Sequence, residues 1–408
     1  MSTSFAWDAV LATRAERMRA SEIRELLKLL DQPDIISFAG GIPDPSLFPA
    51  DAASRATTEI LGDPVRAAQA MQYSVSEGYA PLRAWIAAHM GRLGVPCSID
   101  NILITSGSQQ GLDFLAKLLV SPHDTALVTA PTYLGALQAF NPYEPTYDRL
   151  RVDGGNVTPA EYAARAKAAG GRVKFAYVVP DFANPTGDTM TVAAREALLD
   201  LTGELGSPII EDTAYEALRF EGEPLPPILA LDIARQGHID NTRTVYCGTF
   251  SKTIAPAFRV GWICAAASLV TKLVLVKQAA DLHSSTINQM VMHAVVSERY
   301  DQQVEAARAL YRGRRDAMLT ALQSEMPEGV SWTRPEGGLF VWVTLPEHIN
   351  GADLLARAIA EERVAFVPGG AFFATDTRKN AIRLNFSSPN EVQIAEGIKR
   401  LARLIRRA

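Results

Sequence analysis

Between residues 100 and 270, short β-favouring runs alternate with helical stretches, and this alternation does most to narrow the folds open to the chain. NILIT (101–105) precedes the helical QQGLDFLAKLLV, and TALVTA (125–130) precedes a turn at Pro131. VKFAYVVP (173–180), SPII (207–210), TRTVYCG (242–248) and RVGWICAA (259–266) follow. The runs are rich in Val, Ile and Tyr without strict polar–apolar alternation, as expected for strands covered on both faces of a parallel sheet. Strands separated by helices imply α/β layers and right-handed crossovers.

The character changes after about Ser297. SERYDQQVEAARALYRGRRDAMLTALQSEM predicts one long charged amphipathic helix. Strand candidates follow at GGLFVWVTL (337–345), VAFVPG (364–369) and AIRLNF (381–386). The end, EVQIAEGIKRLARLIRRA, aligns Ile394, Ile398, Leu401 and Ile405 on one helical face, with arginines gathered where the helix dipole favours cations. A chain of 408 residues exceeds one ordinary core. The expected division is a large α/β domain over 50–294 and a smaller α+β domain over 295–408. Residues 1–49, Pro-rich through GGIPDPSLFP, form an arm joined to the small domain.

Composition closes off several function classes. A formal net charge of −5 argues against a nucleic-acid binder, which would carry a basic domain. Cys97, Cys247 and Cys264 are odd in number and far apart, so they predict neither a disulfide framework nor a CxxC metal site. MSTSFAWDAV lacks the basic stretch and apolar core of a secretory signal, and apolar runs are only a few residues long. The expectation is a cytoplasmic protein with no membrane and no metal.

Four polar clusters fall directly after predicted strands, at the edge where open α/β sheets bind ligands. SGSQQG (106–111) offers backbone amides and a helix N-terminus to an anion, although an ordinary helix cap explains it equally well. In PDFANPTGDT the Pro-Thr-Gly turn aims Asn184, which could also be a turn residue alone. In PIIEDTAYE, Asp212 follows a buried strand, where a carboxylate is costly unless it meets a cation, and Tyr215 lies within reach of the same ligand. A capping Asp is the plain alternative. In GTFSKTIAPAFRVG, Lys252 sits among small and hydroxylic residues with Arg259 seven positions on, a setting that lowers an amine's pKa and makes it nucleophilic. A solvated surface lysine is the alternative. One ligand accounts for all four clusters. A lysine anchor, a carboxylate for a cationic ring nitrogen, amides plus an arginine for phosphate, and Asn/Tyr for a phenolic oxygen match pyridoxal phosphate.

The sequence resembles the fold-type I pyridoxal-phosphate aminotransferases, most nearly the subgroup with 2-aminoadipate and kynurenine aminotransferases. YSVSEGYAPLR, SGSQQGLD, APTYLGA, NPTG, EDTAY and GTFSKTIAPAFRVGW carry the resemblance, which extends from SEIRELLKL and ISFAGGIPDPSLFP to AIRLNFS. It implies a large domain with a mainly parallel, seven-stranded sheet flanked by helices. It makes Lys252 the covalent anchor and proton shuttle, and Asp212 the partner of the ring nitrogen. Asn184 and Tyr215 would bind the ring hydroxyl, and Tyr133 would stack on the ring. Phosphate would fall to Ser108, Gln109, Thr249, Ser251 and Arg259. Tyr73 would reach the phosphate of a neighbouring subunit, implying a homodimer with shared sites; by itself Tyr73 would be taken for a buried aromatic. Arg383 would clamp the substrate α-carboxylate, where the residues alone would suggest an outward strand position. Gly41, in FAGG, would lie in a substrate-covering segment. Arg24 would pair with a distal carboxylate, or stay solvated opposite the apolar face of Ile23, Leu26, Leu27 and Leu30.

The activity implied is ping-pong transamination between an L-amino acid and a 2-oxo acid, 2-oxoglutarate being the expected acceptor and 2-aminoadipate, aromatic or branched-chain amino acids the expected donors. A β-lyase or decarboxylase on the same scaffold shares the anchor and the electron sink. A regulatory aminotransferase-like module is the remaining alternative, disfavoured because the resemblance begins by about residue 20 and the charge is acidic.

Overall fold

A computed structural model of the chain describes residues 5–18, 34–375 and 378–408. A two-stranded parallel pair links β1 (Ile36–Ser37) to β11 (Val364–Ala365). The central sheet has seven strands: β2 (Ile102–Thr105), β3 (Thr125–Thr129), β4 (Thr146–Leu150), β5 (Val173–Val178), β6 (Ile209–Asp212), β7 (Thr244–Thr249) and β8 (Gly261–Cys264). Their order is β2-β8-β7-β6-β5-β3-β4. A four-stranded antiparallel sheet, ordered β12-β13-β10-β9, comprises β9 (Ser331–Trp332), β10 (Phe340–Thr344), β12 (Val367–Pro368) and β13 (Ala381–Asn385).

Residues 102–264 show why the large-sheet strands look continuously apolar. Successive side chains point to opposite faces, and both faces are covered. Ile102 and Ile104 pack with Ile60, Ile86 and Val291 from helices on one side, while Leu103 joins Leu112, Leu115 and Leu273 on the other. Val245 and Cys247 likewise face away from Tyr246. The strand in RVGWICAA departs from the parallel expectation: β8 pairs antiparallel with both β2 and β7. It follows β7 too closely for a helical crossover, so the chain turns back at the same edge. The strand β4, in TYDRL, carries no clear mark in the sequence because its middle is only partly buried.

The long helix begins earlier than its charge pattern suggests, running from Thr286 to Glu325 with a non-helical Arg299 (φ −147°, ψ 20°). Before that break, Met290, Val291 and Val295 pack against the large sheet; beyond it, Tyr311, Met318 and Leu322 pack with β10 and β13. Ile394, Ile398, Leu401 and Ile405 of the C-terminal helix Glu391–Ile405 enter this second core. Phe38 is buried there too, with its N–H donating to Ala365 O and its carbonyl accepting from Asn385 N–H.

Ile210, fully buried on central β6, tests the cost of a void in this core. Ile210→Ala should destabilise the large sheet by about 2–5 kcal/mol, read as a lowered denaturation midpoint with an unchanged far-ultraviolet spectrum.

Candidate active site

Six of the seven large-sheet strands point the same way, so the turns that follow them share one edge of the sheet. Antiparallel β8 starts at that edge, and the 250–260 connection therefore lies along it. Here a cavity of about 1300 Å³ opens, bounded by Phe340 and Arg383 from the smaller sheet. Twelve expected residues line it: Gly41, Ser108, Gln109, Tyr133, Asn184, Asp212, Tyr215, Thr249, Ser251, Lys252, Arg259 and Arg383.

Asp212 ends β6 and is only 3% exposed. It caps no helix, correcting that alternative. Its Oδ2 accepts from the Tyr177 hydroxyl at 2.8 Å, whereas its buried Oδ1 has no hydrogen-bond partner among the described residues. Burial pushes the carboxyl up to about 6, with the Tyr177 bond opposing the rise. An ionised carboxylate with one committed oxygen and one open oxygen fits a protonated pyridine nitrogen.

Lys252 Nζ donates to the Gly41 carbonyl at 2.7 Å. Burial lowers its amine to about 8, and the Arg383 and Arg259 guanidiniums add to the drop. It is therefore no solvated surface lysine. Gly41 leaves no room for a side chain, since a Cβ would come within 2.8 Å of the Phe340 ring.

Arg383 is 2% exposed, which corrects the outward orientation suggested by its strand. Both neighbours of β13 pair with it, Trp342 on one side and Val367 on the other. Its Nη1 donates to Asn184 Oδ1 and its Nη2 to Ala39 O, each at 2.8 Å. Its guanidinium lies 4.3 Å from the Phe340 ring centroid and 5.1 Å from that of Phe372. Burial lowers its pKa to about 10, still cationic at neutral pH. Asn184 also hydrogen-bonds Tyr215, whose phenol burial raises far above its ordinary value.

The remaining candidates form a cradle. Gly107, at φ 84°, turns the chain into the helix Ser108–Leu119, and no side chain caps that helix start, so the capping alternative fails. A Cβ at Gly107 would collide with the Arg259 guanidinium, whose Nη2 donates to Ser106 O at 3.2 Å. Thr249 Oγ1 accepts from Ser251 N–H at 3.1 Å and donates to Ser251 Oγ at 2.9 Å, while Gln109 Nε2 donates to Gly135 O at 2.6 Å. Amides at a helix start, two hydroxyls and a guanidinium fit a phosphate dianion.

Tyr73 stands apart. It is 79% exposed, contrary to the buried-aromatic reading, with its ring edge-on to His283 at 6.0 Å. Arg24 lies outside the described residues. Sequence reasoning missed Tyr177, although a tyrosine inside the apolar run VKFAYVV must find a partner for its hydroxyl.

The aminotransferase class I and II family model matches residues 34–401. The chain belongs to this family. This aminotransferase is 44% identical over 405 residues to aromatic-amino-acid aminotransferase 1 of Thermococcus litoralis, covering 98% of this chain and 95% of the relative. The kynurenine aminotransferase of Pyrococcus horikoshii, solved with PMP, superposes with a TM-score of 0.89 at 43% identity, covering 98% of each chain. The α-aminoadipate aminotransferase of Thermus thermophilus, solved with N-(5'-phosphopyridoxyl)-L-leucine, does so at 0.86 and 39%, again over 98% of each. The chain is thus a pyridoxal-phosphate-dependent transaminase of the expected fold.

The depressed amine supplies a direct test. In the cofactor-free chain, condensation of Lys252 with a small aldehyde should rise with pH around a midpoint near 8, because only the neutral amine attacks. Arg383→Leu removes a neighbouring cation and should move that midpoint upward, as measured by the pH dependence of the reaction rate.

Proposed function

We propose that the enzyme transfers the amino group of an L-amino acid to 2-oxoglutarate by a ping-pong cycle, with aromatic, branched-chain and 2-aminoadipate donors as the substrate class. The carrying observation is that Lys252, the open oxygen of Asp212 and the guanidinium of Arg383 meet in one cavity. The relatives act on aromatic amino acids, kynurenine and α-aminoadipate by name, and the apolar walls at Leu137, Val179, Phe340 and Phe373 suit bulky side chains.

Pyridoxal phosphate supplies an electrophilic carbonyl and an electron sink when bound. Asp212 Oδ1 would hold the proton on the ring nitrogen, and Asn184 and Tyr215 would receive the ring hydroxyl, with Tyr133 against the ring face. Ser108, Gln109, Thr249, Ser251 and Arg259 would take the phosphate. Arg383 would exchange its bonds to Asn184 and Ala39 for the two oxygens of the substrate α-carboxylate, fixing the direction of the Cα–H bond. Lys252 Nζ, held near Gly41 O, would take the α-proton and return it on the other side of the transfer. Arg24 would address a distal carboxylate, and Gly41 would form part of the wall over the substrate.

The proposed assembly is a homodimer. Val65, Met71, Tyr73 and Val75 are large apolar residues left exposed within one short stretch of chain, which supports burial of this segment by a second copy and a reach of Tyr73 into the neighbouring site. The two cores support a division into 50–294 and 295–408, with 1–49 as an arm joined to the latter. Cys97, Cys247 and Cys264 are free thiols, which supports a reducing, cytoplasmic setting.

Single amino acids should bleach the cofactor's visible band, and the matching 2-oxo acid should restore it; product formation without any oxo acid would overturn the transfer reading in favour of elimination. Lys252→Ala should abolish multiple turnover. Arg383→Lys, which loses the planar fork, should raise KM roughly 10- to 100-fold for every amino acid, the equivalent of about 1.5–3 kcal/mol in charge-assisted bonds. Unchanged KM in steady-state assays would remove Arg383 from the carboxylate.

A further inference from the structure

A second, partly buried network lies behind the phosphate cradle, outside the cavity. Lys277, in the last turn of the helix Ala267–Gln278, has a fully buried side chain. Its three N–H donors meet three partners at 3.0 Å: Gln110 Oε1, the Asp281 carboxylate and Ser284 Oγ. Gln110 Oε1 also accepts the Ser106 N–H at 2.9 Å, and Gln110 Nε2 donates to Asp281 Oδ2 at 2.8 Å. Ser106 Oγ contacts Asp281 Oδ2 at 3.3 Å and Ser284 Oγ at 3.0 Å.

The Ser106–Gln110 turn is thereby gripped from two directions. Arg259 holds the carbonyl of Ser106 from the cradle side, and Gln110, itself held by Lys277, takes the N–H of the same residue from behind. The turn needs that grip, because Gly107 adopts a positive φ and no side chain caps the following helix. Burying a lysine against a half-buried carboxylate is costly and is a weak way to gain stability. Its value here is geometric: it fixes where the first amides of the helix point.

We propose that Lys277, acting through Gln110 and Asp281, is the positioning residue that sets the phosphate cradle of this transaminase. The inference rests on assigning the cradle to the cofactor phosphate. It predicts a selective loss, because pyridoxal lacks the phosphate group and gains nothing from the cradle.

The full-length chain, freed of cofactor, is titrated with pyridoxal phosphate and with pyridoxal, and the ratio of their Kd values is compared across variants. Lys277→Met should weaken pyridoxal phosphate roughly tenfold while leaving pyridoxal within twofold, and Gln110→Leu should do the same. Gln110→Leu keeps the Lys277–Asp281 pair and carries the test alone if Lys277→Met does not fold. Equal weakening of both ligands would mean a merely structural role and would overturn the proposal. A wild-type ratio in both variants, with Arg259→Ala raising it, would also overturn it while leaving the cradle assignment intact. An unchanged ratio in Arg259→Ala would overturn the cradle assignment, and the positioning role with it.

Discussion

The buried carboxylate of Asp212 sets the constraint that the rest of the site answers to. It ends a fully buried strand at the centre of the sheet, where an isolated charge is strongly disfavoured. The Tyr177 hydroxyl satisfies one oxygen and leaves the other to a cationic partner. A central strand is the most rigid position a sheet can offer, because neighbours on both sides fix its direction. The open oxygen is therefore aimed by backbone hydrogen bonds, and a loop could not hold it as narrowly. The cavity is then built outward from this point, with Lys252, Asn184 and the cradle delivered by adjacent strand ends.

Burial acts with opposite signs on three of the ionisable groups that line this cavity. It raises Asp212 to about 6, lowers Lys252 to about 8 and lowers Arg383 to about 10. At neutral pH these shifts leave the carboxylate mostly ionised, bring the amine nearer to neutrality, and keep the guanidinium charged. Those are the states that a proton holder, a proton shuttle and an anion clamp require. The same low-polarity surroundings that make the charges costly thus sort them into roles. Arg383 further depresses the lysine, so the proposed carboxylate clamp also favours the neutral form of the proposed proton acceptor.

Much of this was legible in the sequence because a parallel sheet turns sequence order into spatial order. Every cluster placed after a strand was bound to reach the same edge, which is why SGSQQG, NPTG, EDTAY and GTFSK could be joined into one site. The pattern failed where position depends on long-range pairing. Arg383 lies in AIRLNF, whose local pattern says only that one face is buried; its inward direction comes from pairing with Trp342 and Val367. The Tyr177–Asp212 bond and the contact from Lys277 to Gln110 escaped notice because the paired residues lie 35 and 167 residues apart. The reversal of β8 was hidden as well, since an apolar strand carries no mark of its direction. Tyr73 shows the converse, an aromatic side chain that a single chain leaves exposed.

The 36–41 segment shows how a short stretch can tie two sheets into one catalytic volume. Ile36 and Ser37 pair with β11, and Phe38 fills the smaller core while its backbone bonds Ala365 and Asn385. One residue later Ala39 O accepts from Arg383, and two residues beyond that Gly41 O accepts from Lys252. Arg383 and Lys252, the cations proposed to take the substrate carboxylate and the α-proton, are thus registered against a single strip of backbone. Two residues of chain fix the separation of those carbonyls, and a displacement of the strip would be felt at both cations together. Carboxylate binding, by drawing Arg383 off Ala39, would loosen the strip that also holds Lys252. In the proposed cycle, substrate recognition and release of the proton acceptor would be connected through this strip, which Phe38 anchors in the smaller core.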